Sequence, residues 1–247
     1  MRKCRLPLRG WVLAVIILAA GGAGWWRGTP ARALSRASIL DAGRRLNGDI
    51  IVLSMTDASL PLGQVQELAA HTNGIARAEL VSHLGVQIES RSFGASSPNS
   101  VVLEFASFDP TSSRFEFRGA RRLQPRSKGM DVQVAVGKIL AAQFQLSLGD
   151  VVTITVPSKG ATPRTAAKRC KVVSIVETGF DYFDSRLMIT DLSYLADFGW
   201  QPSGVSILLS SPEARIGFAA KLQQQWGTGL RVIPLEELLE PLLRGAL

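Results

Sequence analysis

The chain begins with a long apolar run that lies between basic and aromatic residues. From Gly10 to Trp26 the sequence GWVLAVIILAAGGAGWW contains no charged or strongly polar side chain. As a helix this run would be about 25 Å long, close to the thickness of a hydrocarbon core. Four basic residues precede it and two tryptophans end it, which is typical of a span whose N-terminus is cytoplasmic. We therefore predict a transmembrane helix from Gly10 to Trp26, with the bulk of the chain in the periplasm.

A cleaved signal peptide is the alternative interpretation of this run. Ala31-Arg32-Ala33 places small residues at the −3 and −1 positions of a cleavage site, which would leave Leu34 as the new N-terminus. The tryptophan pair suits a membrane interface better than a cleavage region, so the anchor is favoured. Cys4 would then lie inside and Cys170 outside, so that no disulfide can join them.

After the apolar run, residues 27–48 are typical of a helix beside the membrane that ends in a turn. The next segments alternate between β-branched runs and one stretch of helical period. They predict the order β-α-β-β, with strand Asp49–Met55, helix Pro61–Ala70, and strands Gly74–Ser90 and Ser100–Phe108.

The second half of the chain predicts further helices and strands. Asp191 is placed to cap a helix, and Pro212 stands at the first position of another. The predicted elements are helix Val134–Leu146, strands Val151–Val156 and Arg169–Val176, strand Arg186–Thr190, helix Leu192–Phe198, strand Gly204–Ser210, a helix to Trp226, and strand Leu230–Ile233.

The closing β-α-β unit matches the half that the opening unit lacks, so we predict an α+β fold. In this fold a split-βαβ subdomain carries an inserted, smaller α/β subdomain. The predicted domains are an anchor or signal segment (1–28), a linker helix (29–46), the split-βαβ subdomain (47–128 and 201–234), the insertion (129–200) and an amphipathic tail (235–247).

The net charge of +8 does not indicate nucleic-acid binding, because most of it lies in the leader. Residues 1–33 carry six basic and no acidic side chains, whereas the remainder carries 22 basic and 20 acidic ones. A nearly neutral folded part provides no electrostatic footprint for nucleic acid.

The sequence contains no catalytic or metal-binding motif, so we predict a protein that is not an enzyme and has no cofactor or metal. His71 and His83 are the only histidines, and neither has a partner at ligand spacing. Glu177, Asp181 and Asp184 form the one acidic cluster with a conceivable acid/base role. No base or nucleophile accompanies them, so turn chemistry is favoured over a hydrolase site.

The loop Pro157–Arg169 is the best candidate for partner binding. It is basic, contains no acid, and connects two predicted strands through proline and glycine. A solvated hairpin tip is the alternative interpretation. The candidate partner-binding residues are Lys159, Pro163, Arg164, Lys168 and Arg169.

Several stretches together resemble the lipoprotein-releasing ABC permeases (LolC/LolE type) of the FtsX/MacB-like superfamily. The resemblance lies most specifically in residues 129–200 and more weakly before residue 108. The stretches are VGKILA (136–141) with Leu146, Gly149-Asp150, Val152 and Ile154; VSIVETGFDYFDS (173–185); TDLSYL (190–195); and DIIVLSMTDASL (49–60) with Gly74–Ala78.

The resemblance implies the first membrane helix and the porter-like extracytoplasmic domain of such a permease. Leu235–Leu247 is too short and too charged to be a second span, so the other membrane helices are expected from partners. The implied function is a non-enzymatic module of an ABC-type export system, working with permease and ATPase subunits and with a lipoprotein substrate or a periplasmic carrier. The alternatives are a secreted periplasmic binding or scaffold protein and a truncated permease fragment without function.

Overall fold

Nine strands and the helices between them form the described part of the chain. The computed structural model describes residues 35–54, 62–89, 101–106, 117–119, 131–157, 165–226 and 229–244, together with residues 123 and 129. The strands are β1 (Ile50–Ser54), β2 (Ile75–Glu89), β3 (Val101–Ala106), β4 (Val132–Gly137), β5 (Val151–Pro157), β6 (Thr165–Val176), β7 (Leu187–Asp191), β8 (Gly204–Leu209) and β9 (Leu230–Pro234). The expected α+β class is confirmed.

The helices are short, and two of them begin with a side-chain cap, of which the sequence predicts the one at Asp191. The Ser35 hydroxyl accepts from the Ser38 N–H at the start of α1, and Asp191 accepts from the Ser193 N–H at 2.9 Å. The helices are α1 (Arg36–Asn47), α2 (Leu62–Ala70), α3 (Lys138–Gln143), α4 (Asp181–Asp184), the 3-10 helices Leu192–Phe198 and Pro212–Ala214, α5 (Arg215–Trp226), α6 (Leu235–Leu238) and α7 (Glu240–Arg244).

Four strands form an antiparallel sheet in the order β9-β1-β8-β2. The helices α2 and α5 connect β1 to β2 and β8 to β9, so that two β-α-β units interleave. Both helices contribute to one apolar core beneath the sheet, which includes Val65, Ala69, Ala219 and Leu222.

The second part of the sheet is a ring of strand pairings. Following neighbours from β2 through β3, β7, β4, β6 and β5 leads back to β2. Two pairings in this ring, β3 with β7 and β4 with β6, are parallel, and the others are antiparallel. One face of the ring packs against α3 and the 3-10 helix Leu192–Phe198 through Leu140, Phe144, Tyr194 and Phe198.

The long strand β2 belongs to both parts. Its residues 75–81 pair with β8, whereas residues 81–86 pair with β3 and residues 87–89 pair with β5. Because the 15 residues of β2 run without interruption through both hydrogen-bonding regions, the two parts are joined by sheet rather than by a loop.

Two predictions about local structure are wrong. The segment predicted as a helix from Val134 to Leu146 begins as strand β4, and the helix starts only at Lys138. Likewise β6 begins at Thr165 and not at Arg169, so Lys168 belongs to the strand, as Arg169 does. Burial alternates along residues 167–172 of β6, as expected of a strand with one exposed face. In contrast, β4 is buried at five of its six positions and pairs with both β6 and β7.

The predicted membrane span lies outside the described residues. Within the part of the chain that the structure describes, no helix has both the length and the apolar character needed to cross a membrane.

Candidate interaction and coupling sites

The first and last helices of the described chain pack against each other. Ile39, Ala42 and Leu46 of α1 share one buried cluster with leucines of α6 and α7, namely Leu235, Leu239 and Leu243. The fit is close at Gly43, where an added Cβ would overlap Leu239 and lie 3.3 Å from Leu235. The chain therefore enters and leaves the described fold at one place.

The same cluster connects these helices to the ring of strands. Leu187 and Ile189 of β7 belong to it, together with Phe180 and Phe183 around α4. The aromatic rings of Phe180 and Phe183 meet edge to face, with centroids 5.0 Å apart. As a result α1, the C-terminal helices and part of the strand ring share one buried cluster.

A buried carboxylate connects α1 to the four-stranded sheet. Asp49 has no exposed side-chain surface, and its Oδ1 lies 2.9 Å from Arg44 Nε and 3.3 Å from Arg215 Nη1. Its Oδ2 accepts from the Leu209 backbone N–H at 2.9 Å. Arg215 continues the network, since its Nε lies 2.8 Å from Oε1 of Glu236 on α6. The Asp49 network (Arg44, Asp49, Arg215 and Glu236) thus links α1, α5 and α6 to the sheet.

Sequence reasoning did not identify the Asp49 network. Asp49 was interpreted only as the start of a strand, and Arg215 only as part of a helix. The available signal was weak: an acid directly before an apolar strand, soon after the basic pair Arg44-Arg45.

A cavity of about 130 Å³ lies beside the network, at the C-terminal end of α1. Each arginine that lines it faces a carboxylate: Arg44 faces Asp49, Arg45 faces Asp41 at 2.8 Å, and Arg77 faces Glu79 at 3.3 Å. The helix C-terminus adds partial negative charge. The cavity is therefore electrostatically balanced and is not arranged to bind an anion.

The acidic cluster forms a turn in which each carboxylate has a different environment. Asp184 is buried, and its Oδ1 accepts from the Thr178 N–H at 2.8 Å. Burial raises the pKa of Asp184, the Thr178 hydrogen bonds oppose this, and Glu177 and Asp181 raise it further. Glu177 pairs with Lys138 at 3.4 Å, while Asp181 is exposed. These contacts support turn chemistry.

The remaining residues singled out by sequence occupy structural positions. His71 follows α2, with its Nδ1 2.8 Å from the Glu67 carbonyl oxygen, and His83 is half-buried in β2. Cys170 is buried in β6, and burial, with the nearby Asp131 carboxylate, raises its pKa to about 12 although Lys168 opposes the shift. Among the described residues, no group of three or more histidine, cysteine or acidic side chains could hold a metal ion.

Two of the basic candidate residues lie on strand β6, and the other candidates are not described. Lys159, Pro163 and Arg164 lie outside the described residues, between the two strands. Lys168 is half-buried opposite Ile154, whereas Arg169 is exposed opposite Thr153.

The next exposed position on β6 is Lys171, which pairs with the exposed Val151 of β5. Because side chains alternate along a strand, Arg169 and Lys171 lie on the same outer face. The sequence analysis missed Lys171 because it ended the basic segment at residue 169.

Comparisons with known proteins give a likeness of fold only. The sequence matches no protein-family model and no curated protein. The solved structures with a similar chain course include the following three.

The periplasmic region of MacB from Actinobacillus actinomycetemcomitans is 9% identical, with a TM-score of 0.46, covering 81% of this chain and 94% of that one. The extracellular domain of the noncanonic ABC-type transporter YknZ from Gram-positive bacteria is 11% identical, with a TM-score of 0.45 and coverages of 74% and 98%. A domain of a putative permease from Porphyromonas gingivalis is 13% identical, with a TM-score of 0.41 and coverages of 79% and 96%. Likeness at this level does not assign a function.

Proposed function

We propose that this chain is a non-enzymatic extracytoplasmic module of an ABC-type export system, anchored in the inner membrane by residues 10–26. One observation carries the proposal: α1, which follows the apolar run, packs against α6 and α7 at the other end of the chain. A domain that one membrane helix holds at the membrane needs a single point of attachment. The packing of α1 on α6 and α7 provides that point.

The contacts of α1 also suit it to transmit movement. Its apolar face packs against the C-terminal helices in a cluster that includes residues of the strand ring, and Arg44 joins it to Asp49 at the start of the sheet. Because buried contacts and a buried charge network resist separation, displacing α1 would move the rest of the fold with it. Under this proposal, permease and ATPase subunits in trans supply the movement, and the module handles substrate or partner at the outer face of the membrane.

Some residues that carry the family resemblance occupy positions where the backbone geometry requires their residue type. This supports the proposal. Gly137 lies so close to the Asp184 backbone that an added Cβ would overlap the carbonyl oxygen and lie 2.9 Å from the Asp184 Cα. Gly149 has a φ of +95°, a conformation suited to glycine, and Asp150 accepts from the Ser147 N–H at 2.7 Å. Lipoprotein release is the specific activity that the resemblance implies.

The subdomain division belongs to this proposal. Residues 47–128 and 201–234 would form the split-βαβ, porter-like subdomain, and residues 129–200 the insertion. Strand β3, which this division assigns to the first subdomain, pairs with β7 of the second. The module would therefore act as one body.

We further propose that the outer face of the β5–β6 hairpin binds the partner. Arg169 and Lys171 are exposed there, with Lys171 opposite the exposed Val151, and Lys159, Pro163 and Arg164 precede them in the sequence, outside the described residues. Exposed cations beside an apolar side chain suit an acidic protein surface with an apolar centre.

The test is a detergent pull-down of the full chain with a C-terminal tag, with intact mass measured on the bait and peptides identified in the eluate. An uncleaved mass with a multi-span permease or an ATPase would support the proposal. A mass lacking residues 1–33, without a membrane partner, would overturn it in favour of a secreted periplasmic protein.

The hairpin is tested by the same pull-down with Arg169→Glu and Lys171→Glu combined. The matched control is Lys221→Glu with Arg231→Glu, which reverses two exposed charges on other elements. Loss of the partner only in the first variant supports the hairpin surface, and equal recovery in both excludes it.

A further inference from the structure

Strand β9 is the last strand of the four-stranded sheet, and its outer edge is the one that faces away from β1. In the register of β9 with β1, the Leu235 N–H donates to the Asp49 carbonyl oxygen at 3.0 Å, and hydrogen-bonding direction alternates along an antiparallel strand. Arg231 and Ile233 therefore direct their backbone groups toward β1, while Leu230, Val232 and Pro234 direct theirs outward. Within the described residues, no strand pairs with this outer edge.

A side chain occupies the edge instead. Gln223 of α5 donates from Nε2 to the Leu230 carbonyl oxygen at 2.9 Å, and its Oε1 accepts from the Val232 N–H at 2.9 Å. A carboxamide carries the same donor and acceptor as a peptide group, so Gln223 takes the place of a residue in a neighbouring strand. Pro234, the last outward residue, has no N–H to offer.

We infer that the Gln223 side chain prevents β9 from adding a strand of a second copy of this chain. An open strand edge is a template for pairing with another chain, and antiparallel pairing about a two-fold axis brings the same edge of two copies together. The Leu230 carbonyl and the Val232 N–H are two of the outward groups that such pairing would use. The Gln223 amide satisfies both.

The experiment compares Gln223→Ala and Gln223→Leu with the wild-type full chain in one detergent. Gln224→Ala is the control, because Gln224 is exposed on the same helix. Light scattering after size exclusion measures the mass over a range of concentrations, and hydrogen exchange measures the peptide that contains Val232. Gln223→Leu retains most of the side-chain volume, so it separates loss of the amide from loss of packing.

We expect both Gln223 variants to form dimers or larger species as concentration rises. At low concentration, exchange of the Val232 amide should be about fivefold faster, the factor that corresponds to the loss of one ordinary hydrogen bond. The control should remain like the wild type. A Gln223→Leu chain that keeps the wild-type mass at every concentration would overturn the inference, whatever the effect of Gln223→Ala on folding.

Discussion

Arg215 Nη1 lies 3.3 Å from Asp49 Oδ1, although 166 positions separate the two residues in the sequence. Arg44, in the last turn of α1, shares the same carboxylate oxygen at 2.9 Å. One buried charge thus holds together the end of α1, the four-stranded sheet and the start of α5. Its neutralisation should therefore affect the whole fold.

We expect Asp49→Asn to lower the free energy of unfolding by about 3–5 kcal/mol, the usual effect of removing one partner from a buried ion pair. Asparagine retains an oxygen for the Leu209 N–H but removes the buried charge that Arg44 and Arg215 share, which leaves Glu236 to face the largely buried Arg215. Urea unfolding of the full chain in a mild detergent measures the difference.

Asp41→Asn is the matched control for this substitution. Asp41 pairs with Arg45 on the exposed side of α1, and an exposed pair of this spacing contributes no more than about 0.5 kcal/mol. Similar losses in Asp41→Asn and Asp49→Asn would contradict a special role for the buried network.

The packing of α1 on the C-terminal helices predicts opposite effects for one substitution at two helical glycines. Gly43→Ala should lower stability by about 1–2 kcal/mol, because the new methyl group overlaps the buried Leu239. Gly217→Ala should raise stability by up to about 1 kcal/mol, because it meets nothing within 4 Å and alanine favours the helix. Thermal unfolding followed by circular dichroism compares the two variants.

A double-mutant cycle identifies the contact behind the Gly43 effect. Leu239→Ala alone should be destabilising because it removes a buried side chain, yet it makes room for the methyl group of Gly43→Ala. In the Leu239→Ala background we therefore expect Gly43→Ala to be neutral or stabilising. Additive losses would show that the penalty arises elsewhere in α1.

The buried carboxyl of Asp184 predicts a pH dependence of stability. Since burial raises the pKa of Asp184 in the folded chain, the folded state holds this proton more tightly than the unfolded state does. The resulting stabilisation is fully present below the ordinary aspartate pKa of about 3.9 and is lost as pH rises through the folded value. Asp184→Asn should remove this contribution while retaining an oxygen for Thr178.

The measurement is the difference in unfolding free energy between the wild type and Asp184→Asn over a pH series. As pH rises from the acid range, the wild type should lose stability relative to Asp184→Asn. The comparison is Asp181→Asn, which changes an exposed carboxylate. A difference independent of pH would show that Asp184 titrates like an exposed aspartate.

The buried thiol of Cys170 should be unreactive in the folded chain. With a pKa of about 12 it stays protonated at neutral pH, and the thiolate is the reactive form. In a Cys4→Ser background, we expect Cys170 to react with a thiol reagent at least about a hundredfold more slowly when folded than in urea, since reaction requires local opening. Equal rates in the two states would contradict the buried position.

The sequence was most informative where a local pattern decides the structure. Asp191 before Leu192–Phe198 and the β-α-β order at both ends follow from capping and periodicity. Strand β4 was missed because Val132–Gly137 leads directly into helix α3, and the combined segment has an apolar content that also fits one longer helix. The structure shows β4 buried at five of its six positions, so no alternation of apolar and polar residues marked it as a strand.

The coupling site could not be predicted in the same way, because it depends on contacts between distant parts of the chain. Nothing near Asp49 indicates that Arg215 and the Leu209 N–H will surround it, and nothing near Gly43 indicates Leu239. Only the sheet order β9-β1-β8 brings these segments together.

The position of β1 between β8 and β9 also determines when this fold can be completed during synthesis. Ile50 pairs with Ile207, and Ile51 pairs with Ile233, so both neighbours of β1 leave the ribosome roughly 150 residues or more after it. Until then β1 has two open edges and an apolar face without its cover. We therefore expect chaperones to shield this apolar face during most of the synthesis of the chain. Folding should be slow, because it cannot finish until β9 has been synthesised.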